Sequence, residues 1–163
     1  MFRRLLTTRS LCLSAVIAAL YAALTMALPA LSYGAIQCRL SEALTLLPML
    51  LPQAIPGLFV GCLVSNLLSP MGMNVLDIIF GSMATLLAAM GTYCFRTRPL
   101  LAAACPVVAN AVIVGLVIAL SSNLPVALTM AEVAIGETAA VAMGLFILVP
   151  AIRRSRIDLS RLS

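Results

Sequence analysis

The stretch Gly34–Pro48 reads G-A-I-Q-C-R-L-S-E-A-L-T-L-L-P and places two opposite charges between long apolar segments. Arg39 and Glu42 are three residues apart, so both side chains would lie on one face of a helix through this segment. Ionisable residues inside membrane segments are costly and usually serve a function. The stretch therefore predicts part of a polar pocket, in which a small membrane protein captures a small polar solute.

The composition of the whole chain excludes a water-soluble globule. Of 163 residues, 63% are hydrophobic and 9% are charged, and the mean hydropathy is +1.17. A soluble domain is about half apolar and about a quarter charged. The length suits one helical bundle, so we expect a single transmembrane, substrate-binding domain over residues 1–163 with an all-α integral membrane fold.

The positive charges gather at the ends of the apolar segments. The tails contain Arg3, Arg4, Arg9, Arg153, Arg154, Arg156 and Arg161. Arg96 and Arg98 share one short loop, and of the ten arginines only Arg39 lies elsewhere. This distribution is typical of the positive-inside rule in a multi-pass protein embedded in a lipid membrane. It lacks the basic run interleaved with aromatic residues that nucleic-acid binding needs, so we expect no nucleic-acid partner.

Apolar runs separated by turn residues predict six membrane-spanning helices. The predicted spans are residues 11–31, 38–51, 54–68, 76–94, 100–120 and 125–150. The first run is longer than the apolar part of a typical signal peptide, so we expect it to be retained. Pro48, Pro52 and Pro56 predict a break between the second and third helices, which are close to the lower length limit for a span. An even number of spans places both termini and the loop arginines in the cytoplasm.

The residue types that the chain lacks limit the metal sites and catalytic groups it could contain. The chain has no histidine, lysine or tryptophan, which excludes a histidine-based metal site, a histidine general base and a P-loop lysine. The five cysteines are widely spaced and are expected to pack as small apolar residues. We therefore expect no enzyme activity, no catalytic residue, no metal and no cofactor.

Three polar residues interrupt the last two predicted spans. Asn110 lies in the fifth, and Glu132 and Glu137 lie in the sixth. A carboxylate in mid-span costs about 2.5–3.5 kcal/mol unless it is paired or protonated. Small neighbours surround Glu137, which favours a ligand pocket there, with an internal ion pair or a proton-coupling site as alternatives. Asn110 is a pocket residue or a hydrogen bond between helices.

The remaining polar residues fall near the predicted outer face. Arg39 and Glu42 either form an interfacial salt bridge or belong to the pocket. Asp77 either caps a helix or lines the pocket. Asn66 either bridges two helices or lines the pocket. Carboxylates in such a pocket would accept the paired N–H donors of an amidine- or guanine-like edge, or pair with an ammonium group.

Small residues form two stripes. Ala15, Ala19, Ala23 and Ala27 recur every four positions of the first helix, and Gly57, Gly61 and Ser65 do so on the third. Such faces allow close approach of another helix. For the alanine stripe, spacing alone leaves open whether that helix belongs to a partner or to the same bundle.

Several blocks of the sequence resemble the QueT family of membrane proteins. They are the opening stretch at 34–48, I-P-G-L-F-V-G-C-L-V-S-N at 55–66 and L-D-I-I-F-G-S-M-A-T-L-L-A at 76–88, with weaker similarity in P-V-V-A-N at 106–110 and I-G-E at 135–137. The resemblance implies the substrate-binding S component of an energy-coupling factor (ECF) transporter, with a six-helix fold and a solute site near the extracellular side. The implied substrate is the queuosine precursor 7-aminomethyl-7-deazaguanine.

The same resemblance implies partners and specific residues. Energy would come from a transmembrane coupling subunit (the T component) and two cytoplasmic ATPases, and Ala15, Ala19 and Ala23 would dock on the coupling subunit. The implied substrate-binding residues are Gln37, Arg39, Glu42, Asn66, Asp77, Asn110 and Glu137. Alternatives are an S component for another vitamin-like or amino-acid solute, a stand-alone proton-coupled carrier that uses Glu132 or Glu137, and a scaffold protein without a solute.

Overall fold

The computed structural model describes residues 7–32, 39–69 and 74–154, and every regular element within these ranges is a helix. The elements are α1 Thr8–Ala27, the single turn α2 Pro29–Ser32, a 3₁₀ helix Leu40–Met49, α3 Ala54–Leu67, α4 Asp77–Cys94, α5 Pro99–Ser122 and α6 Val126–Arg154. Two single turns are π-helical, at the start of α4 and at Gly144–Leu148 within α6. The all-α prediction is confirmed, and most helix ends lie within three residues of their predicted positions.

Four of these helices are long and apolar enough to cross a membrane. They are α1, α4, α5 and α6, with 20, 18, 24 and 29 residues. The shortest extends about 27 Å, close to the ~30 Å of a hydrocarbon core. The 3₁₀ helix and α3 are apolar but each extends only about 20 Å. The chain is thus a multi-pass helical membrane protein, and six separate spans stay a prediction.

Prolines explain where the structure departs from the predicted helices. The first helix ends at Ala27 rather than at residue 31, because Pro29 lacks the N–H group that would continue the hydrogen-bond ladder. The second forms a 3₁₀ helix with Pro48 inside it rather than an α-helix over 38–51. In an α-helix the Pro48 ring would clash with the carbonyl group four residues earlier.

The 3₁₀ helix lies at the centre of the bundle. It contacts α1, α3, α4, α5 and α6, and eight of its ten residues are buried. Gly144 in α6 packs directly against it, since a side chain at this position would collide with the backbone carbonyl group of Ala43. The part of the charged stretch from Leu40 to Pro48 therefore belongs to the central element of the fold.

The two small-residue stripes have different surroundings. On α3, a Cβ atom added to Gly61 would lie 2.8 Å from both the Ala18 carbonyl oxygen and the Tyr21 Cβ atom, so this small-residue face allows close packing against α1. On α1, by contrast, the predicted docking residues Ala15, Ala19 and Ala23 are exposed. The described part of the bundle does not cover them.

Candidate functional site

The 3₁₀ helix carries the two charges of the opening stretch into the interior. Arg39 precedes its first residue and Glu42 lies in its first turn, and they are only 5% and 1% exposed. Together with side chains from α5 and α6 they surround a small cavity. Its lining residues are Arg39, Glu42, Asn110, Val114, Val133 and Glu137. Residues separated by almost a hundred positions in the sequence thus meet at one place.

A second carboxyl group faces Glu42 across this cavity. The Asn110 Nδ2 atom donates a hydrogen bond of 2.9 Å to Glu137 Oε1, which holds that carboxyl group in place. Glu42 lines the same small cavity as Glu137 and Asn110. Two neighbouring buried carboxyl groups repel one another when both are ionised, so either one of them takes up a proton or a cation lies beside them. The arrangement suits a ligand that brings a positive charge or N–H donors.

Arg39 forms a salt bridge with Asp77 at the start of α4. The Arg39 Nη2 and Asp77 Oδ2 atoms are 3.0 Å apart, and Asn66 Nδ2 donates to the Asp77 carbonyl oxygen at 3.1 Å. Capping was one of the two roles considered for Asp77. Near this helix start the capping contact is made by Asn74 instead, whose Oδ1 atom accepts a hydrogen bond of 3.0 Å from the Leu76 N–H group. Asn66 and Asp77 therefore lie beside the cavity and connect to it through Arg39.

Several buried acceptors at this site lack a donor. Glu42 Oε2, Asn66 Oδ1 and Asp77 Oδ1 receive no hydrogen bond from residues in the described ranges. A buried acceptor without a partner costs about 1–3 kcal/mol. Such a concentration of free acceptors indicates that donors from water or from a ligand belong here.

Tyr21 of α1 is a site residue that sequence reasoning missed. Its side chain is fully buried, and its hydroxyl group donates a short hydrogen bond to Glu42 Oε1. One turn further on, Thr25 Oγ1 donates to Ser41 Oγ at 2.7 Å. A usable signal was present, because Ser14, Tyr21 and Thr25 are separated by seven and four positions and so share one helix face. The Ser14 hydroxyl group also donates, to the Gln53 carbonyl oxygen at 2.8 Å.

The cavity is small in this conformation. Its volume is about 10 Å³, which is room for a single water molecule. A bicyclic solute would have to push the surrounding helices apart before it could reach the two carboxyl groups. In this arrangement the lining side chains leave room for water but not for a larger solute.

The predicted site residues fall into distinct groups. Arg39, Glu42, Asn110 and Glu137 line the cavity, and Asn66 and Asp77 adjoin it. Glu132 is half-buried and does not belong to this group, while Gln37 lies outside the described residues. Within the described ranges, no cluster of three cysteine, aspartate or glutamate side chains could hold a metal ion.

Comparisons with known proteins agree with the membrane fold. The family model described as "QueT transporter" matches residues 11–153. The "Queuosine precursor transporter QueT" of Lactococcus lactis subsp. cremoris (strain MG1363) is 42% identical over 74 residues. This match includes 44% of the present chain and covers 42% of the relative's length. No solved structure matches the chain.

Proposed function

This chain belongs to the QueT transporter family, and on that premise we propose that it is the substrate-binding S component of an ECF-type importer. Its proposed solute is 7-aminomethyl-7-deazaguanine, a queuosine precursor, in keeping with the name of the Lactococcus relative. The observation that carries the proposal is the pair of buried carboxyl groups, Glu42 and Glu137, with an acceptor that receives no donor from the described residues.

The chemistry of the site matches such a solute. A deazaguanine presents adjacent N–H donors that one carboxylate accepts with both oxygens, and its aminomethyl group brings a cation for the second carboxylate. Tyr21 donates to Oε1 of Glu42, and Oε2 receives no hydrogen bond from the described residues. Asn110 orients Glu137. The Arg39–Asp77 salt bridge fixes the start of the 3₁₀ helix against α4.

The proposed topology has six spans, with both termini in the cytoplasm of a bacterium and with residues 1–163 forming one binding domain. In this arrangement the cavity opens toward the outer side. Ala15, Ala19 and Ala23 would dock on the transmembrane coupling subunit, and their exposure on α1 supports this role. Two cytoplasmic ATPases would supply the energy. The family is one of transporters, so the chain itself is not expected to catalyse a reaction.

Reconstitution in liposomes tests the transport mechanism. Labelled 7-aminomethyl-7-deazaguanine should accumulate when the coupling subunit, both ATPases and ATP are present, and not when the chain is inserted alone. Proton-driven accumulation by the chain alone would replace the proposal with a proton-coupled carrier, which the neighbouring Glu42 and Glu137 carboxyl groups would also suit. Absence of any solute binding would favour a scaffold protein.

A further inference from the structure

A large groove lies at the end of the bundle opposite to Asp77 and Asn123. It has a volume of about 520 Å³ and lies between the start of α5 and the end of α6. Met49 and Val149 supply apolar walls, and Arg153 and Arg154 lie at its rim with both side chains exposed. None of these residues belongs to the proposed substrate site.

A second groove continues the first along the membrane-facing surface. It has a volume of about 280 Å³, runs between α5 and α6, and shares Leu145 with the first groove. On α5 it extends from Leu100 to Val108, a length of about 12 Å along the helix. Its lining is almost entirely apolar, and the hydroxyl group of Thr138 is already bonded to the Ala134 carbonyl oxygen at 2.6 Å. This surface suits a hydrocarbon chain.

Two positive charges lie at the rim of the first groove. Neither Arg153 nor Arg154 forms a salt bridge with any residue that the structure describes. A guanidinium group matches a phosphate with paired hydrogen bonds. Basic pockets between transmembrane helices on the cytoplasmic side bind the head groups of anionic lipids. The groove thus combines an anion site with an adjoining apolar channel in a membrane protein.

We propose that the two grooves form one binding site for an anionic phospholipid. The phosphate group lies on Arg153 and Arg154, and an acyl chain lies along α5 and α6. Because Met49 ends the 3₁₀ helix and lines the first groove, the lipid also supports the far end of the helix that carries Glu42. This inference does not depend on the identity of the transported solute.

Native mass spectrometry of the full chain in detergent tests the head-group half of the site. Phosphatidylglycerol should bind about ten-fold more tightly than phosphatidylcholine, given the attraction of two arginines. The R153Q/R154Q variant should lose this preference. Arg9→Gln should keep it, because Arg9 is an exposed arginine on α1 that lies outside both grooves. Equal affinity for the two lipids, no binding of either one, or an unchanged preference in R153Q/R154Q would overturn the proposal.

A matched pair of alanine variants tests the acyl-chain half. Ala142 lines the second groove, whereas Ala139 is exposed on the same helix and does not line it. Ala142→Leu should weaken phosphatidylglycerol binding several-fold, and Ala139→Leu should leave it unchanged. If inorganic phosphate displaces the lipid completely and Ala142→Leu has no effect, the site recognises phosphate alone and the lipid proposal fails.

Discussion

At the scale of single residues, the orientation of Glu42 depends on a hydroxyl group from another helix. Tyr21→Phe removes the donor to Glu42 Oε1 and preserves the buried ring. A hydrogen bond to a charged group contributes about 1.5–3 kcal/mol, so solute binding should weaken by about ten-fold or more. Isothermal titration calorimetry with 7-aminomethyl-7-deazaguanine measures this change. Tyr93→Phe is the control, since the Tyr93 ring lies under the Arg96 guanidinium group, away from the cavity lining. Equal losses of affinity in both variants would contradict a positioning role for Tyr21.

The Arg39–Asp77 salt bridge predicts an effect on stability. Asp77→Asn leaves the buried Arg39 guanidinium group without its ionic partner, which costs about 3 kcal/mol or more. The thermal unfolding midpoint in detergent should therefore fall by about 6 °C or more. The Arg39→Gln/Asp77→Asn double variant should be less destabilised than the sum of the two single variants. Strict additivity in this cycle would show that the two side chains do not stabilise one another.

The charged residues of the candidate site are easier to predict from the sequence than its uncharged residues. Arg39, Glu42 and Glu137 were recognisable because a charge in an apolar chain is expensive wherever it lies. Tyr21 carries no such signal, because a tyrosine in an apolar helix looks like a packing residue until its partner is known. The salt bridge to Asp77 was also not predicted, because pairing between distant segments depends on how the helices pack.

At the scale of elements, helix positions were more predictable than helix type. Apolar runs and prolines located the breaks near residues 52 and 96. Pro48 does not by itself predict the 3₁₀ form of Leu40–Met49, because a chain can respond to a missing N–H group either with a break or with a tighter helix. Its central position, with contacts to five other helices, could not be read from one segment alone.

The close packing of α1 against α3 predicts that a larger residue at the contact lowers stability. A Cβ atom at Gly61 meets the backbone of Ala18, which cannot move without shifting the whole helix. Gly61→Ala should therefore cost about 1–3 kcal/mol of stability. It should also weaken solute binding, because it displaces Tyr21. Thermal unfolding and calorimetry on the same sample check both effects, and a variant with wild-type stability would show that the two helices separate easily.

Unlike Gly61→Ala, a substitution on the exposed face of α1 should leave the stability of the chain unchanged and affect only the binding of a partner. Ala19→Leu adds a large side chain where the described bundle leaves room, so stability and solute binding should be unchanged. Co-purification with the coupling subunit should be lost, because a small-residue face no longer allows close approach. Ala139→Leu on α6 is the matched control and should keep the partner. Normal co-purification of Ala19→Leu would exclude this stripe as the docking surface.

At the scale of the whole molecule, the proposed solute site and the proposed surfaces for a partner and for lipid lie in different parts of the fold. The buried carboxyl groups of Glu42 and Glu137 are held by contacts from α1 and α5, and Arg39 beside them pairs with Asp77 of α4. The outer faces of α1 and of the α5–α6 pair remain open to partners and lipid. Since the central cavity has room for only one water molecule, the proposed solute site requires a rearrangement of these helices on binding.

The most direct test of the account is equilibrium binding of 7-aminomethyl-7-deazaguanine to the purified chain. Wild-type protein should bind the solute, and Glu137→Gln should bind about thirty-fold more weakly or worse, since loss of a buried charged partner costs about 2–5 kcal/mol. Glu132→Gln, on the same helix but outside the cavity lining, should bind like wild type. Absence of binding by the wild-type chain, or undiminished affinity in Glu137→Gln with the fold intact, would contradict the account.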